Sequence, residues 1–132
     1  MQFESVAPIL RVQQIARSLD YYVRVLGFTI DWEIEARFAS VSRDECVIFL
    51  SVGDQGRPGA WVWVGVSDVT TLHTEYVAVG AKVRHPPTNY SWALEMQIED
   101  PDGNVLRMGS EAKPDEPFGE WLDMDGKTWP LR

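Results

Sequence analysis

Two stretches of this chain, residues 8–30 and 61–83, present the same features in the same order. Each opens on a short β-type run, passes a polar turn and enters a segment with helical spacing that ends in a Tyr-Val pair. A glycine and a second β-type run follow. The turn, pair and glycine are Gln13-Gln14, Tyr22-Val23 and Gly27 in the first stretch, and Ser67-Asp68, Tyr76-Val77 and Gly80 in the second. Val12 and Gly27 are 15 positions apart, Val66 and Gly80 14. A repeat of this size is one supersecondary unit used twice, each copy burying what the other cannot bury alone. A cavity is expected where the halves meet.

Length and composition narrow the class. A chain of 132 residues, 45% hydrophobic and 24% charged, matches one globular domain with a true core. No apolar run reaches the ~18 residues of a membrane span. The start, Met1-Gln2-Phe3-Glu4, lacks the basic and apolar regions of a signal peptide, and the sole cysteine, Cys46, has no internal partner. A cytoplasmic protein is expected. The net charge of −8 argues against nucleic acid, whose phosphates require Lys and Arg. It suits a cationic small molecule, and equally plain solubility.

The spacing predicts βαβββ twice. Val6–Val12 reads as a strand with Pro8 near its start, because proline cannot donate to a ladder. Ile15, Leu19, Tyr22 and Leu26 mark a helix over 15–26 that ends at Gly27. Strands follow at 28–34, 38–43 and 46–52, then a Gly/Pro loop at 53–59. Trp61–Val66 opens the second module, and Asp68 caps a helix over 69–79. A short strand at 81–84 leads into His85-Pro86-Pro87, read as a loop. Strands at 92–99 and 104–108 are joined by the Asp100-Pro101-Asp102-Gly103 turn. Residues 111–132, with Pro114, Pro117 and Pro130, read as an irregular tail. The expected class is α+β: paired βαβββ modules, about 5–58 and 60–110, forming a curved mixed sheet with a concave cavity within one domain spanning 1–132.

Three groups of residues carry a resemblance. They are Leu10-Arg11-Val12 with Tyr21-Tyr22 and Leu26-Gly27-Phe28, then Trp61-Val62-Trp63-Val64, then Glu99-Asp100-Pro101-Asp102-Gly103-Asn104. Over about residues 6–110 the chain resembles the vicinal oxygen chelate superfamily of glyoxalase I, extradiol dioxygenases, fosfomycin resistance enzymes and bleomycin resistance proteins. Ala7-Pro8-Ile9-Leu10, Val41-Ser42-Arg43-Asp44 and Ala60-Trp61-Val62-Trp63-Val64 look most like the bleomycin resistance proteins.

The resemblance implies four inward-facing metal-ligand positions in the catalytic members, usually His, Glu or Gln. Here they correspond to Ala7, Phe49, Trp61 and Arg107. Ala, Phe and Trp offer no ligand to a hard or borderline cation, and arginine repels one. No metal, cofactor or catalytic residue is expected. Like the bleomycin resistance proteins, the chain is expected to sequester a planar, cationic small molecule in an aromatic groove at a homodimer interface. The alternatives are a glyoxalase- or dioxygenase-type metalloenzyme, a lyase or isomerase, and a binder of an unknown metabolite.

The candidate ligand-binding residues are Trp32, Phe38, Phe49, Ser51, Trp61, Trp63, Trp92 and Arg107. Strand alternation puts Trp61 and Trp63 on one face while Val62 and Val64 face the helices. Flat apolar walls with few polar groups suit a heteroaromatic ligand. Glu33, Glu35 and Glu95 are candidate carboxylates for its cationic part. The tryptophans serve equally as core or interface packing, and Arg107 either holds an anion or pairs with an internal glutamate such as Glu95. His73, read as exposed in mid-helix, and His85, beside two prolines, have no i+4 metal partner. Cys46 reads as a small buried hydrophobe. Asp123-Met124-Asp125-Gly126 fails the spacing of a calcium loop. Phe118 and Trp121 in the tail are expected to dock on a groove or on a partner subunit.

Overall fold

The structure, a computed structural model, describes residues 1–123 and 125–128. Met124 and residues 129–132, which include part of the calcium-loop motif and the end of the tail, lie outside the described residues. The first module runs β1 (Ile9–Arg11), α1 (Ile15–Asp20), a wider helical turn over Tyr21–Val25, β2 (Thr29–Ile34), β3 (Phe38–Arg43) and β4 (Cys46–Ser51). The second runs β5 (Trp61–Gly65), α2 (Val69–Ala78), β6 (Lys82–Asn89), β7 (Leu94–Glu99) and β8 (Val105–Ser110). Each module forms a four-stranded mixed sheet, ordered β1-β4-β3-β2 and β5-β8-β7-β6. The first strand of each lies parallel to the fourth, and the other pairs are antiparallel. The α+β class and the duplicated βαβββ order expected from the sequence are therefore present, with the mixed sheet divided between the modules.

The local chemistry follows the repeat. Past Asp20 the first helix loosens, so that Leu26 N–H reaches back five residues to the Tyr21 carbonyl at 3.0 Å. Gly27 then turns the chain at φ +80°, a left-handed geometry that glycine tolerates best. Asp68 caps α2, its carboxylate accepting from Thr71 N–H at 3.2 Å and Thr71 Oγ1–H at 2.7 Å. Those bonds, the Thr71 hydroxyl's first, hold its pKa below the usual carboxylate range.

Two boundaries differ most from expectation. β1 begins at Ile9 rather than Val6: Pro8 has no N–H, although its carbonyl still accepts from Phe49 N–H. β6 continues through His85-Pro86-Pro87 to Asn89, where the sequence reads as a loop. As the edge strand it has one side with no ladder to feed, so prolines are tolerated, and register shifts around His85 absorb them.

One apolar cluster joins the modules. Leu10, Tyr22, Ala39, Val41, Ile48 and Leu50 meet Tyr76, Leu94, Met96, Ile98, Leu106 and Met108. Polar bonds pin the same seam. Tyr76 O–H donates to the Leu26 carbonyl at 2.9 Å and Tyr21 O–H to the Glu99 carbonyl at 2.7 Å. Arg43 forks onto both Glu75 oxygens at 2.8 and 3.1 Å. Asp100 is the buried centre of the second turn. It accepts from Tyr22 O–H, the amides of Asp102 and Asn104, and the Asn104 side chain, all within 3.0 Å. That network accounts for the Asp-Pro-Asp-Gly-Asn motif: the backbone amides of Asp102 and Asn104 and the Asn104 side chain all bond the one Asp100 carboxylate. No helix among the described residues is long and apolar enough to cross a membrane.

Candidate functional site: two aromatic sheet faces

Strand alternation sends one side of each sheet into the shared core, leaving the opposite side as an outer face. In β3 and β4 the core takes Ala39, Val41, Ile48 and Leu50, so Phe38, Ser40, Phe49 and Ser51 fall on the outer face. In β5, β7 and β8 it takes Val62, Val64, Leu94, Met96, Ile98, Leu106 and Met108. Trp61, Trp63, Glu95, Gln97 and Arg107 are left outside. Trp32, Phe38, Phe49, Ser51, Trp61, Trp63 and Arg107 thus lie opposite the core, whereas Glu33, which pairs with Ala39, falls on the other side of β2.

On the first sheet, Trp32, Phe38 and Phe49 form one ring cluster. Trp32 stacks on Phe38 at 5.7 Å with 9° between planes, and Phe49 meets them at 5.4 and 5.7 Å. Ser51 pairs in register with Phe38 and is buried. A register shift between Ile30 and Trp32 puts Asp31 within reach of the Ser40 and Ser42 hydroxyls, which donate to it at 2.9 and 2.7 Å. Trp32 remains 40% exposed and Ile34 55%, so this is an open apolar wall with a carboxylate at its edge. Glu33 and Glu35 are exposed nearby, Glu35 in the β2–β3 turn at φ +49°.

On the second sheet the aromatics are tied to charge. Glu95, only 2% exposed, accepts from Arg107 Nε–H at 2.7 Å and from Trp63 Nε1–H at 3.0 Å. The two possibilities for Arg107 resolve to the internal pair. Arg84 lies 4.8 Å over the Trp61 ring and bonds Gln97. Trp63 lies against glycine: a Cβ on Gly109 would come within 2.8 Å of its ring, and one on Gly65 within 3.1 Å. Trp92 sits in the loop before β7, stacked on Tyr90 at 4.7 Å with 4° between planes.

The expected site residues therefore assemble as two groups, one per sheet. Among the described residues no ring of one group touches a ring of the other. The cleft between the modules is a different place. It has a volume of about 470 Å³ and is lined by Phe28, Arg43, Cys46, Glu75, Tyr76 and Met108 among others, with none of the candidate ligand residues. Burial raises the Cys46 thiol above its ordinary value, as expected of a packed rather than a reactive cysteine. His73 is half-buried instead of exposed, and His85 keeps its Nδ1 2.9 Å from the Pro86 carbonyl.

Sequence reasoning missed Gly65, Gly109, Arg84, Tyr90 and Asp31. Parity along β6 was the available signal for Arg84; the glycine floor needs the β5–β8 register, which pairs Trp63 with Arg107 and Gly65 with Gly109. The tail packs on its own chain, with Trp121 against Tyr90, Trp92 and Arg107.

A family model described as the glyoxalase/bleomycin resistance protein/dioxygenase superfamily matches residues 3–108. The chain belongs to this superfamily. No curated protein matches it. Three solved structures share the fold. A bleomycin-binding protein from bleomycin-producing Streptomyces verticillus, complexed with copper(II)-bleomycin, is 21% identical with a TM-score of 0.72, covering 86% of this chain and 99% of that one. TnmS3, an antibiotic binding protein from Streptomyces sp. CB03234, is 20% identical at 0.72, covering 85% and 99%. A bleomycin resistance determinant encoded on the transposon Tn5 is 19% identical at 0.72, covering 83% and 98%.

Superfamily membership raises the question of a metal. The positions matched to ligands hold Ala7, Phe49, Trp61 and Arg107. Among the described residues no three His, Cys, Asp or Glu side chains group as a ligand set. This donor chemistry does not fit a catalytic cation.

Proposed function

We propose that this protein is a metal-independent, non-catalytic binding protein that sequesters a planar, cationic small molecule, as the bleomycin-binding members of its superfamily do. The observation that carries the proposal is the pair of outer faces with their aromatic rings, which include Phe49 and Trp61 at positions where the superfamily resemblance implies metal ligands. Stacking rings contribute about 0.5–1.5 kcal/mol beyond area burial and a cation over a ring about 0.5–2, so several contacts must act together. Asp31, whose carboxylate sits on the first face beside the Ser40 and Ser42 hydroxyls, and Glu35 in the β2–β3 turn border that face and suit the cationic part of the ligand. A net charge of −8 raises the local concentration of cations.

The core lies between the two faces, so one chain presents only half a groove on each side. A complete aromatic groove forms when the first face of one protomer meets the second face of its partner in a homodimer. The site residues are then Trp32, Phe38, Phe49 and Ser51 from one chain with Trp61, Trp63, Trp92 and Arg107 from the other. We place this domain, read as one unit over residues 1–132, in the cytoplasm.

Mixing two binding-deficient variants tests the groove. One carries Trp32→Ala and Phe49→Ala; the other carries Trp61→Ala. In a mixed dimer one groove receives both damaged faces and the other receives two intact ones. Co-refolded mixtures should recover copper(II)-bleomycin binding at up to one site per mixed dimer. No recovery, with mixed dimers demonstrated by mass spectrometry, refutes a groove shared between chains.

A further inference from the structure

Beyond residue 108 the family model no longer matches, yet the tail packs as specifically as the strands do. We infer that the segment 113–123 is part of the binding site, carrying Trp121 onto the second outer face as a fixed ring wall for a planar ligand. The inference rests on the binding function proposed above.

The anchor is Asn89, at the end of β6. Its side-chain oxygen accepts from Lys113 N–H at 2.8 Å, and its amide nitrogen donates to the carbonyls of Lys113, Glu116 and Pro117 at 2.9, 3.3 and 3.4 Å. Its backbone carbonyl accepts from Gly119 N–H at 2.7 Å. Gly119 is pressed onto the strand: a Cβ there would come within 2.6 Å of Thr88 Cγ2. The side-chain oxygen and nitrogen of one asparagine, with its backbone carbonyl, thus hold this segment. Beyond Trp121 the chain turns around Asp123, whose Oδ1 accepts from Asp125 N–H and Lys127 N–H at 2.9 Å each, and Leu122 bridges to Thr128. Trp121 is therefore fixed from both sides.

Its ring lies 4.3 Å from the Arg107 guanidinium carbon, 5.7 Å from Tyr90 and 6.4 Å from Trp92, inclined 55–56° to the Tyr90–Trp92 stack. Arg107 is already neutralised by Glu95, which also holds Trp63. Trp121, Arg107, Glu95 and Trp63 thus make one continuous chain of contacts across the face. Shielding the ion pair would need only bulk. A half-buried indole, set at an angle to a second ring stack, adds a corner into which a flat ligand fits.

Calorimetric titrations of the full chain with copper(II)-bleomycin and with proflavine, a planar cation, test this. Trp121→Ala and Asn89→Ala should each weaken binding about three- to tenfold, the range one ring contact supplies. Trp121→Phe should recover most of the loss, and all variants should keep the wild-type melting temperature to within a few degrees. Wild-type affinity in both disabling variants overturns the inference and leaves the proposed function standing. Tighter binding overturns it too, making the tail a plug. If wild type binds proflavine but not the drug, the drug-like ligand falls and the proflavine series alone decides the tail. If wild type binds neither, both the function and the tail's role in it are refuted.

Discussion

Adding one methyl group at Gly109 should destabilise this protein, although the same change in an ordinary strand stabilises it. In β8 an alanine is worth about 0.5–1 kcal/mol over glycine, through the entropy of the unfolded chain. Here the new Cβ would lie 2.8 Å from Trp63 Cζ2 and 3.3 Å from Nε1. Carbon atoms rest about 3.5–4.0 Å apart, so the indole must lift by roughly 0.7 Å or more. Its bond to Glu95, 3.0 Å long, then passes beyond hydrogen-bonding reach. A hydrogen bond to a charged group is worth about 1.5–3 kcal/mol, and the lower end applies because Trp63 is half-exposed and water can replace part of it. The expected net loss is about 1 kcal/mol. In a Trp63→Ala background there is no ring to lift, and Gly109→Ala should stabilise by about 0.5–1 kcal/mol. Urea denaturation of the four proteins followed by circular dichroism closes the cycle, with a coupling of about 1.5–2 kcal/mol expected. Equal stabilisation by Gly109→Ala in both backgrounds refutes the glycine floor.

Alkaline pH should weaken the seam between the modules. Burial pushes the Tyr76 phenol up to about 12 from an ordinary 10 and raises the Tyr22 phenol well above its ordinary value. Stability from a group whose pKa rises on folding is whole below the unfolded value and lost as pH climbs through the folded one. Urea midpoints should therefore hold to about pH 10 and fall toward 12, and Tyr76→Phe should flatten part of that fall; a curve unchanged in Tyr76→Phe would contradict the assignment. Asp100→Ala should cost at least about 3 kcal/mol, because it strands the buried Tyr22 hydroxyl and the Asn104 amide together; a cost below about 1 kcal/mol in urea unfolding would mean that the network is replaceable.

The duplicated βαβββ order was legible because core-facing residues recur with the right period in both copies: Leu10 and Val12 before a helix carrying Ile15, Leu19 and Tyr22, then Val62 and Val64 before one carrying Val69 and Tyr76. β6 was not, because Pro86 and Pro87 signal a loop in isolation, and only the strand's place at the sheet edge lets them stay. Within the site, the outward positions of Phe49, Trp61, Trp63 and Arg107 follow from alternation alone. Their partners do not. Trp63 meets Gly109 because β5 lies parallel to β8 in one particular register, and no local pattern encodes that pairing. The division of the rings between two opposite faces is likewise a consequence of both modules sharing one core. The tail's order was hidden as well: its prolines suggest irregularity, while its anchor, Asn89, lies 24 residues before Lys113.

The central claim is that the aromatic faces bind a planar cation without a metal. It is tested most directly by titrating purified protein, after elemental analysis, with metal-free and copper(II)-loaded bleomycin and with proflavine while following tryptophan fluorescence. Saturable quenching at one ligand per chain, in protein free of stoichiometric transition metal, is the expected result. A stoichiometric bound transition metal, or fluorescence that responds neither to either form of the drug nor to proflavine, contradicts it.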